Sequence, residues 1–285
     1  MKLLFTSLAL FLFASVVVAQ STPQAYELYN ERGKKTSYRK MMKDLREADV
    51  VLFGEYHDNP ISHWMELEIV EDLPDYDLGM EMFETDEQAA LDKFMADSIT
   101  VEELDSLTGG LWNNFDTDYL PLLQRARKDS AAVYATNIPR AYARMVFQRG
   151  FVVLQSLPEV HQVHLPPLPP PYDPELPGYK AMTMPGNASG HGGENFPKAQ
   201  AIKDATMGWF IAKNVTEGRP FVHINGSYHS DDFEGIGWYL RQYKPQLKVV
   251  TISTVEQPDV STLTEEFVGK ADYIIAVPAN MTKTY

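Results

Sequence analysis

Short apolar runs alternate with helical patterns along most of this chain of 285 residues. The runs are rich in β-branched residues, and stretches between them, such as 38–47 and 63–72, have the pattern of helices. Strands that alternate with helices of this length predict βαβ units. The predicted fold class is therefore α/β, with a mostly parallel sheet flanked by helices. The predicted strands are 49–53, 77–82, 132–136, 220–224, 248–253 and 273–277.

Two segments interrupt this alternation, and both are predicted to be insertions into a single domain over residues 20–285. Residues 85–129 have patterns for two or three helices between consecutive strands, with capping boxes starting at Thr85 and Thr100. They predict a small helical lobe. Residues 158–197 contain a proline run followed by a glycine-rich stretch, and proline runs are extended and solvated. They predict a surface excursion.

The first 19 residues have the pattern of a secretory signal. Lys2 precedes an apolar run, and small residues end at Ala19, where cleavage is expected. The run is short for a membrane span, and no later stretch is long and apolar enough for one. We therefore expect an exported protein, periplasmic or secreted. We also expect no lipid anchor, because the chain has no cysteine to which a lipid could be attached.

The amino-acid composition excludes some classes of binding partner and some kinds of catalytic and metal site. With 39 acidic against 25 basic residues, the formal net charge is −14, which argues against nucleic acid or an anionic membrane as a partner. The absence of cysteine excludes disulfides, thiolate metal sites and thiol nucleophiles. Any bound metal is therefore limited to His, Tyr, Met and carboxylate ligands. Whether the chain forms a homodimer is left open.

Polar residues cluster at the ends of four predicted strands. In an open parallel sheet, ligands bind beyond the carboxyl ends of the strands, so we expect these side chains to form one site. No nucleophile elbow, phosphate loop, GxGxxG or HExxH motif accompanies them. The candidate catalytic residues are Glu55 and His57 after the first strand, Glu81 at the second, Arg140 after the third and His229 after the fourth.

Two kinds of chemistry fit these residue types. His57, Glu81 and His229 can hold a divalent metal such as Zn, Mn or Co through nitrogen and oxygen ligands, with a position left for water. Without a metal, a glutamate can act as general base to a histidine while Arg140 stabilises an oxyanion. Either arrangement would support hydrolysis of a small-molecule or peptide substrate.

Five motifs in register resemble one family. The pair GEYH and GSYH forms two GxxH motifs at strand ends, and LGMEMFE lies between them. NIPRAYAR and HGG with KAQAIKDATM add to the match, which spans roughly residues 36–280. The chain resembles the ChaN-like branch of haem-binding uptake proteins in the Tiki/TraB superfamily, which is related to erythromycin esterase-like proteins.

The resemblance implies an α/β fold, haem binding and a role in iron acquisition. It favours a tyrosine ligand, and the candidates for binding haem are Tyr56, Tyr228 and His191. A slot between the sheet edge and the helical lobe would use Trp112, Phe115 and Tyr119. In related branches the GxxH histidines and the glutamate are proposed to carry metal-dependent peptidase or esterase activity. For this chain the sequence leaves open whether it is an enzyme.

Overall fold

The computed structural model describes residues 23–184 and 193–285, in which seven strands form one sheet. The predicted signal segment, residues 1–19, and the candidate ligand His191 lie outside the described residues. The sheet order is β1-β7-β6-β2-β5-β3-β4. All neighbours are parallel except the edge pair β1 and β7. The strands are β1 Glu27–Asn30, β2 Val50–Glu55, β3 Asp77–Glu84, β4 Val133–Asn137, β5 Phe221–Gly226, β6 Val249–Gln257 and β7 Tyr273–Pro278.

Helices cover both faces of the sheet, as the predicted α/β class requires. None of those within the described ranges combines the length and the apolar composition needed to cross a bilayer. In chain order they are α1 Tyr38–Arg46, α2 Pro60–Asp72, α3 Gln88–Met95, α4 Val101–Thr108, α5 Leu120–Asp129, α6 Arg140–Arg149, α7 Glu159–Gln162, α8 Pro177–Met182, α9 Phe196–Asn214 and α10 Gly235–Tyr243.

The central strand β2 shows how the two apolar layers form. Successive side chains of a strand point to opposite faces, so Val51 and Phe53 join the core formed with α1, α2 and α5. Val50 and Leu52 pack on the other face against α9 and α10. All four side chains are fully buried. Burial on both faces explains why this strand reads as a continuous apolar run.

The structure differs from the sequence reading in three places. Strand β1 was not predicted, because its four residues lie at the sheet edge and only its two middle residues are buried. The capping box at the start of the lobe begins one residue earlier than predicted, with the Glu84 amide donating to Glu87. Helix α9 starts inside the segment predicted to be a surface excursion, and that segment also buries Leu165 and Tyr179.

Candidate functional site

Four neighbouring strands, β2, β5, β3 and β4, end at the same edge of the sheet. Glu55 is the last residue of β2, Glu81 lies in β3, and His229 ends the 3₁₀ turn that follows β5. The pairing of β3 with β4 shifts register between Met80 and Glu84. Such an irregularity re-aims side chains next to a site, and here it includes Glu81. The sheet therefore brings these predicted residues together although they are far apart in sequence.

The glycines of the two GxxH motifs make this close approach sterically feasible. A Cβ on Gly226 would lie 2.9 Å from His57 Nε2, and the Gly226 amide donates to Glu81 Oε2 at 2.8 Å. A Cβ on Gly54 would lie 2.9 Å from both Ser227 Cα and Ser230 Oγ. Each motif therefore needs a glycine because the other motif packs directly against it.

His229 lies between two buried carboxylates. Its Nδ1 is 2.5 Å from Asp204 Oδ1 and its Nε2 is 3.2 Å from Glu81 Oε1. The other oxygen of Asp204 accepts a hydrogen bond of 2.6 Å from the hydroxyl of Tyr179. Both ring nitrogens of His229 are thus engaged, and a metal at this imidazole would have to break one of the two contacts.

The charges of this group reinforce one another. Burial disfavours a charged imidazole, but the negative charges of Glu81 and Asp204 outweigh it and raise the pKa of His229 to about 10. Burial also disfavours a charged Glu81, yet the charge of His229 lowers the pKa of Glu81 to about 2. His229 is therefore an imidazolium between carboxylates at neutral pH. On strand β5, burial lowers the pKa of His223 to about 4, which keeps that ring neutral.

His57 has a different environment, because its carboxylate partner comes from its own motif. Its Nδ1 is 2.6 Å from Glu55 Oε1, which also accepts a hydrogen bond of 2.7 Å from the hydroxyl of Tyr119. The ring of Trp112 packs edge-on at 4.7 Å. Burial lowers the pKa of His57, but the hydrogen bond to Glu55 and the charges of Glu55 and Glu81 raise it more, and the net shift is upward. The side chain is 32% exposed.

His57 and His229 both line two concave regions. One, of about 450 Å³, is lined by Tyr56, Tyr228 and Tyr285 together with both histidines; we call it the tyrosine pocket. The other, of about 270 Å³, is lined by Glu81, Trp112, Arg140 and Lys203 together with the same histidines; we call it the cationic pocket. The candidate haem ligands Tyr56 and Tyr228 thus line a different pocket from Arg140.

Other predicted residues have different positions from those expected. Phe115 and Tyr119 are buried in the core and do not line an open slot, whereas Trp112 is only half-buried beside His57. The Arg140 side chain is 81% exposed at the rim of the cationic pocket, and its backbone amide donates to Glu84 Oε2 at 2.8 Å. The haem slot between sheet edge and lobe is therefore not built from the three predicted aromatics, because two of them stabilise the lobe.

Sequence reasoning missed several buried residues of this region. Asp204 comes from α9, inside the motif KAQAIKDATM, but the sequence alone assigns it no partner. His63 and Glu66 are on α2, where their spacing of three places both on one helix face. Within the described residues, the group of potential metal ligands that lies within 4.8 Å of one another is Glu55, His63 and Glu66. It differs from the predicted set of His57, Glu81 and His229.

Comparison with known proteins places the chain in a family. A family model described as haem-binding uptake, Tiki superfamily, ChaN matches residues 41–240. ChaN of Campylobacter jejuni, described for cofacial haem binding, has a TM-score of 0.62 and 19% identity, covering 88% of this chain and 96% of that chain. A Bacillus cereus protein has a TM-score of 0.49 at 11% identity, covering 88% and 94%. The type III effector HopBA1 has 0.46 at 14% identity, covering 84% and 92%. No curated protein sequence matches this chain.

The family match covers well over half of the chain, and it includes both GxxH motifs and the strand that carries Glu81. The similarity to the Campylobacter structure extends over nearly all of that protein and agrees with the α/β architecture described above. This chain therefore belongs to the ChaN family of haem-binding uptake proteins in the Tiki superfamily.

Proposed function

We propose that this protein binds haem in the tyrosine pocket. The observation that carries the proposal is the placement of Tyr56 and Tyr228, which precede the two GxxH histidines and line one pocket with them. Phenolate and imidazole are both established ligands of haem iron. The volume of about 450 Å³ is within the range of small-molecule sites.

The residues present fit such a ligand. The hydroxyl of Tyr228 donates to the Gly178 carbonyl at 2.9 Å, and the side chain is 46% exposed, so one hydrogen bond must be broken to free the phenol. Tyr56 is half-buried with the ammonium of Lys283 5.9 Å from its ring centre. Nδ1 of His57 is engaged by Glu55, which leaves Nε2 as its nitrogen for a ligand. Bound haem would supply the iron that these side chains coordinate.

Membership of a haem-binding uptake family supports a role in haem or iron acquisition. The description of Campylobacter ChaN as binding haem cofacially supports haem as the ligand, and the exposed side chains of Tyr228 and Tyr285 leave the tyrosine pocket accessible to it. An exported location, as expected from the signal pattern of residues 1–19, would place the protein where external haem is captured.

The test is a haemin titration of the purified chain followed by absorbance. We expect a saturable Soret shift that Tyr56→Phe/Tyr228→Phe abolishes and that the single variants assign to one phenol. Tyr134→Phe, on β4 and outside the pocket, serves as the matched control and should bind as the wild type does. Burial raises the pKa of both Tyr56 and Tyr228, and coordination by a phenolate releases a proton, so affinity should increase with pH. No saturable shift in the wild type would refute the proposal.

A second candidate function, hydrolysis, is favoured by one observation. The cationic pocket has two imidazoles with carboxylate partners, and Glu81 lies against one of them, which is an arrangement suited to general acid–base chemistry. Esters and peptides would be assayed with and without added Zn, Mn or Co. We expect turnover that falls at least 100-fold in His229→Gln and not in His161→Gln, an exposed histidine elsewhere. Absence of turnover in the wild type would exclude this candidate for the substrates tested.

A further inference from the structure

A second polar cluster adjoins His57 and shares Glu55 with the lining of the tyrosine pocket. It consists of Glu55 from β2 and of His63 and Glu66 from α2, and one ligand atom of each lies within 4.8 Å of the others. The three residues are only 1%, 6% and 1% exposed. The cluster is therefore closed to bulk water, unlike the two pockets.

Two carboxylate oxygens in this cluster have no hydrogen-bond donor among the described residues. They are Oε1 of Glu66 and Oε2 of Glu55. The other oxygen of Glu55 already contacts His57 and Tyr119. A buried carboxylate oxygen without a donor is costly, and the one Nδ1 of His63 lies 3.0 Å from Glu55 Oε2 and 3.4 Å from Glu66 Oε2. A single N–H cannot serve both glutamates, so at least one of these buried carboxylates is left without a full set of partners.

The contacts of His63 Nε2 explain why Nδ1 is the ring nitrogen that faces the glutamates. Its Nε2 is 3.1 Å from the carbonyl oxygen of His57 and 3.3 Å from Asp118 Oδ2. Asp118 is held in turn by the side-chain amide of Asn114 at 2.7 Å. Metal-binding histidines donate their other N–H to such a carboxylate or carbonyl, which fixes the tautomer. Once the Nδ1 proton is displaced, the same tautomer of His63 would direct the Nδ1 lone pair towards Glu55 and Glu66.

We propose that Glu55, His63 and Glu66 bind a divalent cation of the first transition series, such as Zn²⁺ or Mn²⁺. A cation that takes the place of the Nδ1 proton of His63 would meet two carboxylates and a neutral imidazole, whose summed charge of −2 it neutralises. One nitrogen and several oxygen donors suit these metals better than Ca²⁺ or Mg²⁺, which take oxygen ligands. Because Glu55 also contacts His57, the cation would fix one wall of the tyrosine pocket.

The experiment uses haem-free protein and measures the cation alone. The purified chain is stripped with chelator, titrated with Zn²⁺ by calorimetry and with Co²⁺ by visible absorbance, and its metal content is measured after dialysis. We expect about one cation per chain, and at least 100-fold weaker binding in Glu66→Gln. The matched control is Glu71→Gln, the same substitution on the same helix at an exposed carboxylate. It should retain the cation.

Two further variants separate this inference from folding defects and from haem binding. Asp118→Asn keeps the size of the side chain that orients His63 and should weaken cation binding by 10- to 100-fold, with an unchanged circular dichroism spectrum. Tyr56→Phe/Tyr228→Phe should keep full cation affinity whatever happens to haem. A wild type that holds no stoichiometric cation, or cation binding that Glu66→Gln and Asp118→Asn both leave unchanged, would overturn the proposal.

Discussion

The two GxxH motifs have the same spacing, yet they form unlike halves of the site. In the first, His57 takes its carboxylate from Glu55 two residues earlier and remains one-third exposed. In the second, His229 is buried and takes Asp204 from α9 and Glu81 from β3. The motif thus determines where a histidine is placed, while the neighbouring elements determine its charge, its exposure and how much stability depends on it.

The largest expected difference between the halves is in stability. His229→Ala leaves Glu81 and Asp204 buried without their shared cation, and loss of one partner from a buried ion pair costs about 3–5 kcal/mol. His57→Ala leaves Glu55 with Tyr119 and His63 and removes a partly exposed ring, so we expect a loss of about 1 kcal/mol. Urea unfolding of both variants measures this. Equal losses would show that the two halves do not differ in this way.

The two motif glycines should differ less in their effect on stability, and here the substitution in the first motif should cost more than the one in the second. A Cβ at position 54 meets Ser227 Cα at 2.9 Å and the Ile252 carbonyl oxygen at 3.1 Å, and backbone atoms yield little. A Cβ at position 226 meets the His57 ring, which can shift. Gly54→Ala should therefore cost about 1–3 kcal/mol and Gly226→Ala less. Thermal unfolding would rank them, and haemin titration should show the larger binding defect in Gly226→Ala, because His57 lines the tyrosine pocket.

The last contrast between the halves is a pH dependence specific to the second half. The pKa of His229 is raised to about 10 in the folded state, against about 6.5 in an unfolded chain. Its contribution is therefore fully present below pH 6.5 and is lost as the pH rises towards 10. Between pH 7 and 10, the free energy of unfolding of His229→Gln should therefore decrease less than that of the wild type, by more than about 1 kcal/mol.

His63 provides the internal reference for that measurement. In chelator-treated protein, burial opposes its charge, but Glu66 and Glu55 raise the pKa of His63 to about 11, so part of the alkaline loss should persist in His229→Gln. Urea unfolding at pH 7, 8.5 and 10 compares the variant with the wild type. An identical pH profile for both proteins would contradict the assigned charge of His229.

Local hydrophobic patterns in the sequence were sufficient to predict much of the fold. Apolar runs such as 49–53 marked buried strands because both of their faces are covered. The edge strand β1 was not recognised, since four residues with a half-buried pattern carry little signal. Helix α9 was not recognised from the sequence, and one reason is that eleven of its nineteen residues are buried, including Asp204 and Thr206. That burial leaves no clear polar face from which amphipathic periodicity could be read.

The sequence by itself determined the α/β class and the candidate residues at the strand ends, because these depend on short-range periodicity and on the rule that parallel strands end at one edge. Only the tertiary structure decided which acids the histidines meet. Asp204 reaches His229 across 25 positions, and Tyr119 reaches Glu55 across 64. Such contacts depend on helix packing, which no local pattern encodes. They determine which histidine is buried and charged, and they create the closed cluster beside His57.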